Sequence, residues 1–352
     1  MTDVVATAAE ARASAREPLL VLEPLAAFLD VHGLGAGPIT AAPIGDGHSN
    51  VTYAIARGDE RLVLRRPPRG PLPPSAHDVL REARLQLALA PAGARVPRIR
   101  AVCEDPAVIG APFYVMDLVD GDVLTTALPP ALAGHEARIA DQLVDALAEL
   151  HAVDVARPAV AAFGRGPGYL ERQVRRFRGL LELNATRALP QLDAVGDWLD
   201  ANRPGEAETT VVHGDYRLGN VIVAADPRPR LAAILDWEMA TLGDPLADLG
   251  YLTAMWAQPD DPDDPMLALG AVTRRPGFPG RADLARRYAD RTGRDVGALR
   301  WYQVLAVWKA AIFLEGSYRR FLAGTTDDPY FGRLGDGVPR LAQRAAALAG
   351  VS

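Results

Sequence analysis

Two stretches decide how this chain reads: Val211-Val212-His213-Gly214-Asp215-Tyr216-Arg217-Leu218-Gly219-Asn220-Val221-Ile222-Val223 and Ala233-Ile234-Leu235-Asp236-Trp237-Glu238. Each sets polar residues where an apolar, strand-like run stops. A carboxylate (Asp215), an amide oxygen five positions on (Asn220) and a second carboxylate 16 beyond that (Asp236) can surround one divalent cation and one reacting hydroxyl. All-oxygen ligands of this kind suit Mg²⁺, which keeps some waters and shares oxygens with a nucleotide's phosphates. Asp and Asn also favour turns, so a plain turn at a strand end is the structural alternative for Asp215 and Asn220.

Outward from this island the chain changes texture. Residues 1 to about 20 read as a loose leader, followed by a short helix over Pro24–His32 with Leu25, Phe28 and Leu29 on one side. Alternation in Val51, Tyr53, Ile55 and again in Leu62, Leu64 predicts two strands joined through Gly58-Asp59. A helix is expected from about Ser75, carrying Val79, Leu80, Ala83 and Leu87, and strands over Pro97–Val102 and Phe113–Leu118. Helical spacing then dominates: a long helix ending at His151, another from Gly168 to Leu183, and further ones over Asp283–Thr292, Trp301–Ala323 and Val338–Ala349. The layout predicts a leader and N-terminal helix over 1–37, a small sheet lobe over 38–120 and a large helical lobe over 121–352, with a ligand expected in a cleft between lobes.

Composition narrows the function. The chain has 352 residues, 49% of them hydrophobic, with a formal net charge of -6. That is enough to bury a sizeable core and argues against a general nucleic-acid binder. Cys103, the one cysteine, excludes an intrachain disulfide and any multi-cysteine metal site. No apolar run reaches the roughly 18 residues of a membrane span, and the N-terminus lacks a signal core, so a cytoplasmic protein without a membrane partner is expected. The 38 basic residues include a single lysine, Lys309.

The order His213-x-Asp215 to Asn220, followed by Asp236, matches the protein-kinase catalytic loop and its metal-binding Asp. The chain resembles the aminoglycoside phosphotransferase and choline kinase-like family, and more narrowly its branch associated with acyl-CoA dehydrogenases. Supporting text is Gly243-Asp244-Pro245-Leu246-Ala247-Asp248-Leu249, Leu64–Pro68, Ala148–His151 and Gly277–Arg281. The resemblance implies an α+β, bilobal protein-kinase-like fold with a small antiparallel sheet and one helix in the N-lobe and a mostly helical C-lobe.

It also implies roles. Asp215 is the base that positions the acceptor hydroxyl, Arg217 stands near the transferred phosphate, and Asn220 and Asp236 hold Mg²⁺. His213 and Asp248 read as architecture supporting the loop, and His151 as a structural helix end. Glu238 reads equally as a neighbour of the metal or a cap of the next turn. Asp244 and Pro245 are expected to start a helix. On the sheet, strand alternation sets Val63 and Arg65 on one face, at the places of the residue over adenine and of the phosphate-gripping lysine. Arginine replaces that lysine here, and Glu82 is its expected ion-pair partner. Arg66 beside it is expected at the solvated surface. The segment Gly47, His48, Ser49, Asn50 is expected over the phosphates, with a plain hairpin turn as the alternative, and Met116, Asp117 and Val119 at the adenine edge.

These roles add up to an ATP- and Mg²⁺-dependent kinase, with GTP as the alternative donor, that phosphorylates a hydroxyl on a small molecule. The narrower resemblance implies a hydroxyacyl-CoA or hydroxy acid, which an apolar wall of Trp256, Trp301, Tyr302 and Phe313 and arginines such as Arg274, Arg275, Arg319 and Arg320 would hold. One alternative is an antibiotic kinase whose polycationic acceptor meets Asp260–Asp264. Another, of a different class, is a catalytically inactive nucleotide-binding module, suggested by the missing lysine.

Overall fold

The period-two segments of the first 120 residues form one antiparallel sheet. The computed structural model describes residues 3–45, 50–70, 77–206, 208–226, 228–325 and 329–351. The chain divides into two units, Met1–Ala92 with Val96–Asp120, and Gly93–Arg95 with Gly121–Ser352.

The first unit runs β1 (Val4–Val5), α1 (Ala8–Ala13), β2 (Leu20–Val21), α2 (Leu22–Val31), β3 (Thr40–Pro43), β4 (Val51–Arg57), β5 (Glu60–Arg66), α3 (Val79–Leu89), β6 (Ile99–Cys103) and β7 (Phe113–Asp117). The main sheet has the order β3-β4-β5-β7-β6. β4 and β5 close on Gly58-Asp59, with Arg57 opposite Glu60. Alternation sends Leu62 and Leu64 to one face, where they pack with Tyr53, Ile55, Leu25 and Leu29. Val63 goes to the other, with Val79, Ala83, Tyr114 and Met116. Apolar residues on both faces of β5 follow, since a helix covers each.

Two expectations are corrected here. The N-terminal segment is not loose: Val4–Val5 pairs in parallel with Leu20–Val21, and Thr7 with Glu10 forms a capping box on α1. Leu19, Leu20, Leu25 and Leu29 cover the sheet face that would otherwise meet water. Arg66 is not at the surface either. Only 3% exposed, it donates to the carbonyls of Ile109 at 3.0 Å and of Leu19, so it stitches the N-terminal segment to the sheet. Arg69 adds bonds to Asp3 and, at 2.6 Å, to the Glu17 carbonyl.

The second unit comprises α4 (Glu136–His151), α5 (Pro158–Ala161), α6 (Tyr169–Asn184), α7 (Pro190–Ala201), β8 (Thr210–Val212), β9 (Val221–Ala224), β10 (Arg230–Ile234), β11 (Thr241–Gly243), α8 (Leu246–Met255), α9 (Pro265–Ala268), α10 (Arg281–Thr292), α11 (Leu299–Leu322), α12 (Pro329–Gly332) and α13 (Leu334–Ala349). Two small antiparallel pairs, β8 with β11 and β9 with β10, carry the decisive stretches. α8 begins one residue later than expected, at Leu246, with the Asp244 carboxylate accepting from the Leu246 N–H at 2.9 Å. The proposed apolar wall is mostly core: Trp256, Trp301 and Tyr302 are buried, and their polar atoms bond Pro279 O, Leu199 O and Asp244. Phe313 alone is exposed.

Candidate active site

β8 delivers His213 to a tight turn. Gly214 has φ +85°, and a Cβ there would stand 2.8 Å from the Met239 carbonyl oxygen, so the close approach requires glycine. The turn hangs on Asp248 at the start of α8. This wholly buried carboxylate accepts from the His213 N–H at 2.7 Å, the Gly214 N–H at 2.8 Å and His151 Nε2 at 3.2 Å. Burial alone would raise the Asp248 carboxyl, but the bond and charge of His151, with those of His213, more than offset it and hold it below its ordinary range. His151 Nδ1 meets the Tyr288 hydroxyl at 2.7 Å, so α4, α8 and α10 meet on one buried network.

The His213 ring bridges the two decisive stretches. Its Nδ1 accepts from the Asp215 N–H at 3.2 Å, which makes Nε2 the donor to the Leu235 carbonyl at 2.8 Å. The ring also lies edge-on to Trp237, centroids 4.8 Å apart. Asn220 completes the link: its Nδ2 donates to Asp215 Oδ2 at 2.7 Å and to the Asp215 carbonyl at 2.9 Å, while its own carbonyl accepts from the Leu235 N–H at 2.8 Å. Asp236 follows in a left-handed conformation, φ +64°, which Asp tolerates at a cost of about 1–3 kcal/mol and which clusters at working sites. Asp215, Asn220 and Asp236 are thus joined through His213 and Leu235.

Two side-chain atoms here lack a hydrogen-bond partner. Among the described residues, Asp215 Oδ1 and Arg217 Nη1 are buried and make no hydrogen bond. Arg217 Nε stands 3.6 Å from Asp215 Oδ1. Gly219 makes room for this guanidinium, since a Cβ there would overlap Arg217 Nη1. A residue the sequence reading missed is Tyr251, one turn along α8 from Asp248. Burial and then the Asp215 carboxylate push its phenol well above the ordinary range. Helical spacing from Asp248 was the available signal.

The oxygen donors suit Mg²⁺. Both hydrogen bonds of the Asn220 side chain use Nδ2, which leaves Oδ1 for a cation, and Asp236 adds a carboxylate. Among the described residues no group of three His, Cys, Asp or Glu forms a closed cage. An open site with one amide and one carboxylate oxygen is what a cation shared with phosphates needs.

In the first unit, Arg65 Nε donates to Glu82 Oε2 at 2.9 Å, and Glu82 is 1% exposed. Val63 lies opposite Met116 in the register. The Asp117 N–H is taken by the Arg98 carbonyl at 2.9 Å and its carboxylate by Arg100 at 2.7 Å, while Val119 is half-buried beyond the strand. Asn50 is buried, with Oδ1 3.2 Å from His77 Nδ1. Gly47, His48 and Ser49 lie outside the described residues.

Known proteins can now be set beside this geometry. Residues 40–302 match the family model described as phosphotransferase enzyme family. A mouse protein named acyl-CoA dehydrogenase family member 11 is 33% identical over 314 residues, covering 86% of this chain and 40% of the relative. The mouse family member 10 is 33% identical over 292 residues, covering 82% and 27%. The chain therefore spans less than half the length of these relatives. A solved structure from Ralstonia eutropha, assigned to the aminoglycoside phosphotransferases, is 30% identical with a TM-score of 0.74, covering 93% of this chain and 98% of that one. Choline kinase from Cryptosporidium parvum, at 11% identity and a TM-score of 0.60 over 88% and 89% of the two chains, shares the fold. With the protein-kinase-like α+β fold and a family match over most of its length, the chain belongs to the phosphotransferase enzyme family.

Proposed function

We propose that this protein is an ATP- and Mg²⁺-dependent kinase that transfers the γ-phosphate to a hydroxyl of a small molecule. The observation that carries the reading is the pair of orphaned atoms. A buried carboxylate oxygen, Asp215 Oδ1, and a buried guanidinium nitrogen, Arg217 Nη1, neither hydrogen-bonded among the described residues, are complementary to a hydroxyl and a phosphoryl oxygen. In this mechanism Asp215 accepts the hydroxyl proton and orients the oxygen for in-line attack, while Arg217 donates to the transferred group. Asn220 holds Asp215 in place through Nδ2 and, with Asp236, would hold the metal. The bound metal would neutralise charge on the phosphates. Arg65, aimed by Glu82, would bind nucleotide phosphate, with Val63, Met116, Asp117 and Val119 toward the base and Gly47 to Asn50 toward the phosphates.

For the acceptor we favour a hydroxylated acyl chain, free or as its CoA thioester, over a polycation. The acidic run that would attract a polycation is largely neutralised within the unit. Asp261 pairs with Arg281, Asp264 with Arg344 at 2.9 Å, and Asp263 stands 3.6 Å from Arg274. The names of the acyl-CoA dehydrogenase relatives point the same way. Of the arginines that the resemblance offers to the acyl group, Arg274, Arg319 and Arg320 are bonded within the unit. The test is turnover of ATP with hydroxyacyl-CoAs, hydroxy acids, aminoglycosides and choline as acceptors. Asp215→Asn is expected to abolish transfer while leaving nucleotide binding. Undiminished transfer by that variant would overturn the mechanism, and nucleotide binding without turnover on any acceptor would favour a binding module.

A further inference from the structure

The single lysine proves to be an unneutralised cation. Lys309, on α11, donates to Gln173 Oε1 at 2.7 Å and lies 4.8 Å from the centroid of the Phe177 ring. Both partners are neutral. Among the described residues neither Lys309 nor its neighbour Arg176 makes an ion pair with a carboxylate. Burial and, after it, the charge of Arg176 lower the Lys309 ammonium to about 8, with Asp248, spent on other bonds, only partly opposing them.

α6 presents a hollow of about 360 Å³ lined by Arg172, Gln173, Arg175 and Arg176, with no acidic residue in its lining. Arg172 is turned to the carbonyls of Arg165, Gly166 and Pro167. Arg175 has only a solvent-exposed contact of 3.5 Å with Glu171, worth little in water. Arg176 is exposed and without a hydrogen bond among the described residues. Gln173 lines the hollow and also holds the ammonium, so it joins surface and interior. A partly buried cation is stabilised by a counter-charge, and no carboxylate among the described residues pairs with this one.

We infer that this hollow, with Arg175 and Arg176 in its lining and Lys309 behind Gln173, is a binding site for a phosphate group, carried by inorganic phosphate or by an organic phosphomonoester. Either would bring a compact double negative charge to the two guanidinium groups and, through its field, would stabilise the protonated lysine behind Gln173. The inference stands apart from the kinase reading, because neither ATP nor transfer enters it.

Having one lysine makes the site directly observable. Protein labelled with ¹³C at the lysine Cε gives one side-chain resonance, that of Lys309. At constant ionic strength, inorganic phosphate, CoA and dephospho-CoA are titrated against it, with chloride as the control. A saturable shift with a midpoint of about 10 mM or tighter is expected, together with a rise of the lysine's titration midpoint from about 8. Arg176→Gln is expected to weaken the response about tenfold. A response to inorganic phosphate alone identifies the free ion, and a response to CoA but not dephospho-CoA identifies an organic phosphomonoester. No saturable shift with any probe, or one that Arg176→Gln leaves unchanged, would overturn the inference.

Discussion

Replacing Asp248 by alanine tests the frame of the candidate site. The carboxylate has no exposed surface and accepts three hydrogen bonds, of 2.7, 2.8 and 3.2 Å, two from backbone N–H groups and one from His151. Its removal orphans all three donors inside the protein, each at about 1–3 kcal/mol. Partial relaxation and shared strain keep the sum from being additive, so we expect a loss of about 3–5 kcal/mol, the range for breaking a buried charged network. At about 2–4 °C per kcal/mol for a cooperative unit of ~150–250 residues, the Tm falls by at least about 6 °C. Asp248→Asn keeps one acceptor oxygen and should lose about half as much. The pH dependence has a defined sign. A carboxyl held below its ordinary value of 3.8 contributes stability fully above that pH, and the contribution disappears as pH falls through the lower, folded value. The gap between the wild type and Asp248→Ala in urea unfolding should therefore be constant from about pH 5 to 7 and shrink below about pH 3.8. Exposed Asp260→Ala is the control, expected within about 0.5 kcal/mol of the wild type. An Asp248→Ala protein as stable as that control would refute the argument.

Other substitutions probe separate parts of the molecule. Arg65→Ala should weaken ATP binding about tenfold or more by calorimetry while Arg65→Lys retains most of it, and unchanged affinity in Arg65→Ala would remove Arg65 from the nucleotide site. Gly214→Ala forces a Cβ against the Met239 carbonyl at a left-handed φ of +85°, so a loss of at least about 2 kcal/mol is expected in thermal unfolding. Arg66→Met orphans the buried carbonyls of Leu19 and Ile109 and should speed tryptic cleavage after Arg16 about tenfold; an unaltered rate would show that the N-terminal segment is held by its leucines alone.

The parts that sequence reveals are those with a local signature. Period-two alternation found β4 and β5 and the turn between them, and the stripes ending at His151 and crossing Lys309 located α4 and α11. The spacing of Asp215, Asn220 and Asp236 singled out residues that prove to be linked. What escaped reading depends on distant partners. Nothing near Arg66 says that Leu19 will cover it, so an arginine beside a proline reads as surface. Likewise α1 and β2 show no period, because their order comes from docking on the sheet. Helix α7 begins directly at Pro190, where a proline reads more readily as a break than as a first-turn residue. The buried hydroxyl, imidazole and carboxylate of Tyr288, His151 and Asp248 come from three helices, and no spacing announces that they meet.

The three residues Gly93–Arg95 belong to the second unit although both neighbours in sequence belong to the first. Arg95 grips Glu149 with two bonds of 2.6 and 2.7 Å and donates to the Leu231 carbonyl at 2.9 Å, while its own carbonyl receives the Ile234 N–H at 2.7 Å. A fragment begun at Gly121 would omit a side chain that ties α4 to β10. Modular exchange by a single cut is therefore a poor strategy for this chain: a recombinant helical half would need the Arg95 peptide supplied in trans or grafted back, and would otherwise leave the Ile234 N–H at the end of β10 without its acceptor, two residues before Asp236.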